Sequence, residues 1–98
     1  MTSPSDRNDV VAHHEPAFDF YLEKTHGQYF IHQDVRIWSR DTRTATQAII
    51  DGLDWLPLRV CVLPDNHKLI KYSTLYGFKY SYSQTSPDGV EYHILSRR

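Results

Sequence analysis

The residues able to do chemistry are few, and their spacing excludes more than it supports. The chain carries one cysteine, Cys61, and six histidines, His13, His14, His26, His32, His67 and His93. None of the histidines stands at zinc spacing with cysteine or in an HExxH pattern. A single cysteine excludes an internal disulfide and a cysteine-cluster metal site. In a strand, it acts as a small hydrophobe. His32 and His93 fall on predicted strands, where either could serve as a general base toward an amine. Arg40 and Arg43 flank a predicted helix start, an arrangement able to hold an anion by charge-assisted bonds. Asp65 or Asn66 precedes a second predicted helix, where an N-cap belongs.

The elements that position these residues can be read from periodicity. Residues 1–16 are polar, contain Pro4 and Pro16, and read as a flexible tail, leaving 17–98 as one domain. "AFDFYLEK" alternates, and with "YFIHQDVRIW" it forms a predicted hairpin over 18–38, turning at "THGQ" where Gly27 is free to take positive φ, with a helix at 17–24 as the weaker alternative for its first limb. In "SRDTRTATQAIIDGL", Ala45, Ala48, Ile49 and Leu53 follow a helical stripe, predicting a helix over 42–53 capped by Asp41 or Thr42. Leu58 to Leu63 is almost wholly apolar, as expected of a strand covered on both faces. After Pro64, a helix striped by Leu69, Tyr72 or Ser73, and Tyr76 stops at Gly77. "FKYSYSQ" puts Phe78, Tyr80 and Tyr82 on one face. "SPDG" matches a type I turn, and "VEYHILS" closes a hairpin. The fold class is α/β or α+β: a mixed, mostly antiparallel sheet with two packed helices. Core packing accounts for Trp38 and Trp55, with Trp55, in a loop, the better placed for a partner.

Composition bounds the function classes. The 98 residues carry a formal net charge of −1, with no Lys/Arg run, which argues against a general electrostatic grip on nucleic acid. No apolar run reaches the length of a membrane span, and the N-terminal residues lack a basic start and an apolar h-region. A cytoplasmic protein is expected. Aromatic residues reach 13% and include seven tyrosines, which serve a small core and a partner surface equally well.

An apolar strand, then Asn66, then a helix running into "YGF", then a hairpin with an Asp-Gly turn resembles the C-terminal half of a GCN5-related N-acetyltransferase (GNAT). The strand 29–38 and the helix 42–53 are similar to that family's central strand and following helix, so the resemblance spans roughly 28–98. Its overall look is similar to small acetyltransferase-like proteins of tailed phages. The resemblance implies a truncated GNAT-like fold with acetyl-CoA as cofactor. It implies cofactor contacts at Arg40, Arg43, Thr44, Leu63 and Asn66, and a catalytic position at Ser73 with Tyr72 beside it.

Two departures weaken the chemistry. The family binds pyrophosphate on a glycine-containing loop, because bare backbone N–H groups must approach the phosphates. The equivalent "WSRDTRTAT" has no glycine, and Asp41 would repel phosphate. The family also often places a Tyr, the acid for the departing thiolate, where this chain has Ser73. Tyr72 is about 100° around the helix and is expected to point elsewhere. The family's first strands are expected to be missing or compressed. These departures favour a degenerate acetyl-CoA site on a phage-encoded protein that binds and modulates a host protein, for instance an enzyme. The alternative is an active N-acetyltransferase acting on a small amine or a protein. A homodimer through edge strands fits either.

Overall fold

The computed structural model describes residues 9–97. Its architecture is α+β: a six-stranded mixed sheet with two helices on one face. The strands are β1 (Asp9–His14), β2 (Phe18–Thr25), β3 (Gln28–Val35), β4 (Leu58–Val62), β5 (Lys79–Thr85) and β6 (Glu91–Ser96). The helices are α1 (Arg40–Gly52), between β3 and β4, and α2 (His67–Thr74), between β4 and β5. The spatial order is β1-β2-β3-β4-β6-β5. Every neighbouring pair is antiparallel except β3 and β4, which are joined through α1 and run parallel.

Alternation decides what each strand buries. Phe18 and Phe20 of β2 and Leu58, Val60 and Val62 of β4 point to the helix side, where they pack with Ile50 of α1, Leu95 of β6, and Tyr76 and Phe78 after α2. Leu69, Tyr72 and Ile49 pack against this cluster from the helices. On the opposite face, no helix covers the sheet among the described residues. β4 is therefore fully buried on one face only, and Arg59 and Cys61 are half-buried on the other. The expectation that β4 is covered on both faces does not hold. Arg59 reaches across β6 to the Tyr82 hydroxyl at 3.4 Å, on the face where Ile94 opposes Cys61 and Tyr82.

Local signals determine most of the boundaries. The β2–β3 turn is a two-residue loop with His26 at φ 51° and Gly27 at φ 76°, the handedness that matches strand twist. The helix α2 ends as a Schellman motif: Phe78 N–H donates to the Ser73 carbonyl at 3.3 Å and Gly77 N–H to the Thr74 carbonyl at 3.1 Å, with Gly77 at φ 91°. The turn Ser86–Gly89 closes with the Gly89 N–H donating to the Ser86 carbonyl at 2.9 Å. At the end of α1, Arg97 donates to the Ile50 carbonyl at 3.4 Å and meets Asp51 at 3.0 Å and Asp54 at 3.3 Å, satisfying a terminal carbonyl with a cation.

Several expectations are corrected. Residues 9–14, read from sequence as flexible tail, form β1 against β2; residues 1–8 lie outside the described residues. Val10 and Val11 favour an extended backbone, and the edge of β2 supplies the hydrogen-bond partner that makes the segment a strand. With β1, two strands precede β3 in the chain, one more than the hairpin expected from the sequence. The hairpin strand β3 ends at Val35 rather than at residue 38. The cap of α1 is Ser39, whose Oγ accepts from the Thr42 N–H at 3.2 Å; Asp41 and Thr42 lie inside the helix. Tyr80 and Tyr82 do not share a face. A bulge between them sets Tyr80 opposite Leu95 and Tyr82 opposite Ile94. Neither tryptophan is core: Trp38 is 57% exposed and Trp55 75%.

Candidate functional site

The pairing of β3 with β4 covers only Tyr29↔Leu58 and Phe30↔Arg59. Beyond that point the two parallel strands are not hydrogen-bonded, although β3 runs on to Val35 and β4 to Val62. A cavity of about 420 Å³ lies where they part, walled by Ile31, Gln33 and Val35 of β3, Val60 and Cys61 of β4, Thr46 and Ile50 of α1, and Leu69, Tyr72 and Ser73 of α2. Phe20, Tyr76 and Phe78 close it, and Trp38, Asn66 and Lys68 stand at its mouth. Crevices at the carboxyl ends of parallel strands are the usual ligand sites of α/β sheets.

A short polar chain crosses the cavity. Gln33 interrupts the apolar face of β3 and ties both helices to the sheet. Its Oε1 accepts from the Tyr72 hydroxyl at 2.9 Å, and its Nε2 donates to Thr46 Oγ1 at 2.8 Å. Thr46 in turn donates to the Thr42 carbonyl at 2.7 Å. The three aromatic rings form a ladder from mouth to floor: Trp38 meets Tyr72 edge-on at 4.9 Å, and Tyr72 meets Tyr76 edge-on at 5.0 Å. Tyr76 is 3% exposed, and its hydroxyl makes no hydrogen bond. The hydroxyls of Tyr72 and Thr46 lie close enough to influence it without completing a bond. Burial, with Tyr72 adding to it, pushes the Tyr76 phenol well above its ordinary range and keeps it protonated.

Of the cofactor and catalytic positions that the resemblance implies, the fold brings Tyr72, Ser73 and Asn66 to the cavity and leaves Arg40, Arg43, Thr44 and Leu63 off its wall; His32 and Cys61 also border it. Ser73 is 4% exposed, and its hydroxyl donates to the Leu69 carbonyl of its own helix at 2.8 Å. Tyr72, expected to point elsewhere, lines the same cavity; its phenol reaches Gln33 across the space that the parting strands leave. Asn66 is the N-cap of α2, accepting from the Leu69 N–H at 3.2 Å. Arg40, Arg43 and Thr44 are exposed on the first turn of α1, outside the cavity wall. Leu63 is exposed just past β4, its carbonyl accepting from the Asn66 N–H at 3.0 Å.

Gln33 and Tyr76 are the functional candidates that sequence reasoning missed. The available signal for Gln33 was a lone amide in the row Tyr29, Ile31, Gln33, Val35, which otherwise belongs to the core face.

Of the remaining titratable groups, His32 and Cys61 border the cavity from the sheet, and Asp19, Glu23 and His93 lie apart from it. His32 Nε2 meets Glu23 Oε1 at 2.8 Å on the helix-free face of the sheet, and Thr25 donates to the same carboxylate at 3.0 Å. Asp19 is held by Arg36 at 2.7 Å and by His14 at 2.8 Å, and these bonds bring its pKa down to about 2. His93 packs edge-on against Tyr80 at 4.9 Å, and burial pushes the Cys61 thiol up, which disfavours a nucleophilic thiolate. Among the described residues, no group of three His, Cys, Asp or Glu side chains is placed to hold a metal ion, and no helix is long and apolar enough to cross a membrane. Comparison with protein-family models, with curated proteins and with solved structures finds no match to this chain.

Proposed function

We propose that the protein is an acetyltransferase-like scaffold that works by binding a protein partner rather than by transferring acetyl groups. The observation that carries this is the state of Ser73: a buried hydroxyl, committed to its own helix, stands where the reaction would want a phenol able to protonate a thiolate. A serine hydroxyl is a far poorer acid than a tyrosine near pKa ~10. The neighbouring phenol of Tyr72 already donates to Gln33. At the start of α1, the Thr42 N–H is taken by the Ser39 cap and Asp41 sits in the first turn, which together disfavour pyrophosphate.

The scaffold reading is supported by the order of elements. A strand, a helix, a parallel strand, an Asn-capped helix ending at Gly77–Phe78 and a closing hairpin follow one another as the resemblance implies. Trp55, 75% exposed, and the helix-free sheet face supply surface for a partner. If the protein is phage-encoded, that partner is a host protein, such as an enzyme, in the bacterial cytoplasm. Tagged protein incubated in bacterial lysate should recover one partner at fixed stoichiometry, and Trp55→Ala should weaken recovery. Release of CoA thiol from acetyl-CoA in the presence of amines, with no partner recovered, would replace this reading with the active acetyltransferase.

A further inference from the structure

We propose that the cavity between β3, β4 and the two helices is a small-molecule site for a compact aromatic compound with a carbonyl oxygen at its inner tip and an anionic group at its outer end. This goes beyond the protein-binding role and does not depend on it. The cavity, at about 420 Å³, falls within the size range of small-molecule sites, roughly 300–1,000 Å³.

The inner end selects for an acceptor. The Tyr76 hydroxyl is buried without a hydrogen bond, a condition that a ligand acceptor atom would relieve. Gln33 spends its carbonyl on Tyr72 and one N–H on Thr46, and its second N–H has no partner among the described residues. The hydroxyl protons of Tyr72 and Thr46 are already committed to Gln33 and to the Thr42 carbonyl. The floor therefore presents two free donors, Tyr76 O–H and Gln33 N–H, to whatever enters. Both are neutral, so a carbonyl oxygen fits there better than a deeply buried carboxylate.

The middle and the mouth select for an aromatic body and an anion. The edge-on ladder of Trp38, Tyr72 and Tyr76 lines one wall, and aromatic rings favour edge-on and offset partners. At the mouth, Lys68 Nζ lies 5.9 Å from the centre of the Trp38 ring and forms no ion pair among the described residues. The one carboxylate on the rim, Asp34, is exposed on β3 and within electrostatic range of Arg36.

The probe is 4-acetylbenzoate, compared by calorimetry with 4-ethylbenzoate, which lacks the inner carbonyl, and with 4-(aminomethyl)acetophenone, which carries a cation outside. Saturable binding of 4-acetylbenzoate, with both comparators about tenfold weaker, is the expected result. Tyr76→Phe should weaken 4-acetylbenzoate about tenfold, leave 4-ethylbenzoate unchanged and raise the melting temperature of the free protein, because an unsatisfied buried hydroxyl is removed. Lys68→Glu, at an exposed position, should weaken the benzoates and spare neutral acetophenone. No saturable binding of 4-acetylbenzoate at millimolar concentration, equal affinity for the ethyl compound, or an unchanged affinity in Tyr76→Phe would each overturn the proposal. CoA release, measured separately, reads the acetyl-transfer question whichever way the probes behave.

Discussion

The bond between Tyr72 and Gln33 joins α2 to the centre of the sheet, and its removal gives a sharp test of how the cavity is held open. In Tyr72→Phe the ring stays between Trp38 and Tyr76, so the two edge-on contacts at 4.9 and 5.0 Å are kept and only the hydroxyl is lost. The hydroxyl donates at 2.9 Å to a neutral amide in a half-buried setting, which is worth about 0.5–1.5 kcal/mol net. For a domain of this size about 1 kcal/mol moves the melting temperature by roughly 4–8 °C. Gln33→Leu removes the same bond together with the one to Thr46, while restoring an apolar residue to an apolar row. A double-mutant cycle of Tyr72→Phe, Gln33→Leu and the pair isolates the Tyr72–Gln33 term. Melting followed by circular dichroism, combined with urea titration, should give a favourable coupling of about 1 kcal/mol. A coupling below about 0.3 kcal/mol, inside the usual additivity error, would refute the bridge between β3 and α2.

Other parts of the fold give equally direct tests. Asn66→Ala should cost about 1 kcal/mol by removing the cap of α2, while Asn66→Asp keeps the stability; an unchanged melting temperature in Asn66→Ala would show that the cap contributes nothing. Gly77→Ala should cost about 1–2 kcal/mol from backbone strain at φ 91°, since its added Cβ would meet only Arg97 Nε at an ordinary 3.7 Å. Asp19 has its pKa lowered by Arg36 and His14 to about 2. Its contribution to stability is therefore fully present above the unfolded value of about 4 and is lost as pH falls through about 2. Melting temperature against pH should fall less steeply over that window in Asp19→Asn than in the parent, and parallel curves would contradict the assignment.

The parts of the fold that the sequence made legible are those fixed by neighbours along the chain. Gly77 needs positive φ whatever surrounds it, Asn66 caps the helix that follows it, and Ser86–Gly89 turns by its own chemistry. What stayed hidden depends on pairing across the sheet. Asp9–His14 becomes a strand only beside β2, and the bulge that separates Tyr80 from Tyr82 exists only relative to β6. The α1 cap moved from Asp41 or Thr42 to Ser39 because the side chain whose oxygen reaches the Thr42 N–H is set by the path of the chain leaving β3. The cavity was half legible. Ser73, Tyr72 and Asn66 were visible as positions on α2, whereas Gln33 and Tyr76 gained their meaning only once β3 and β4 were seen to part.

The binding role stands or falls on acetyl-CoA. Calorimetry at millimolar acetyl-CoA, run beside an assay of free CoA thiol with small amines and lysate protein as acceptors, puts the question most directly. No saturable heat and no thiol release above the protein-free rate are expected, given the committed Ser73 hydroxyl and the glycine-free start of α1. Saturable binding with catalytic release of CoA would contradict a non-catalytic scaffold and make the protein an acetyltransferase.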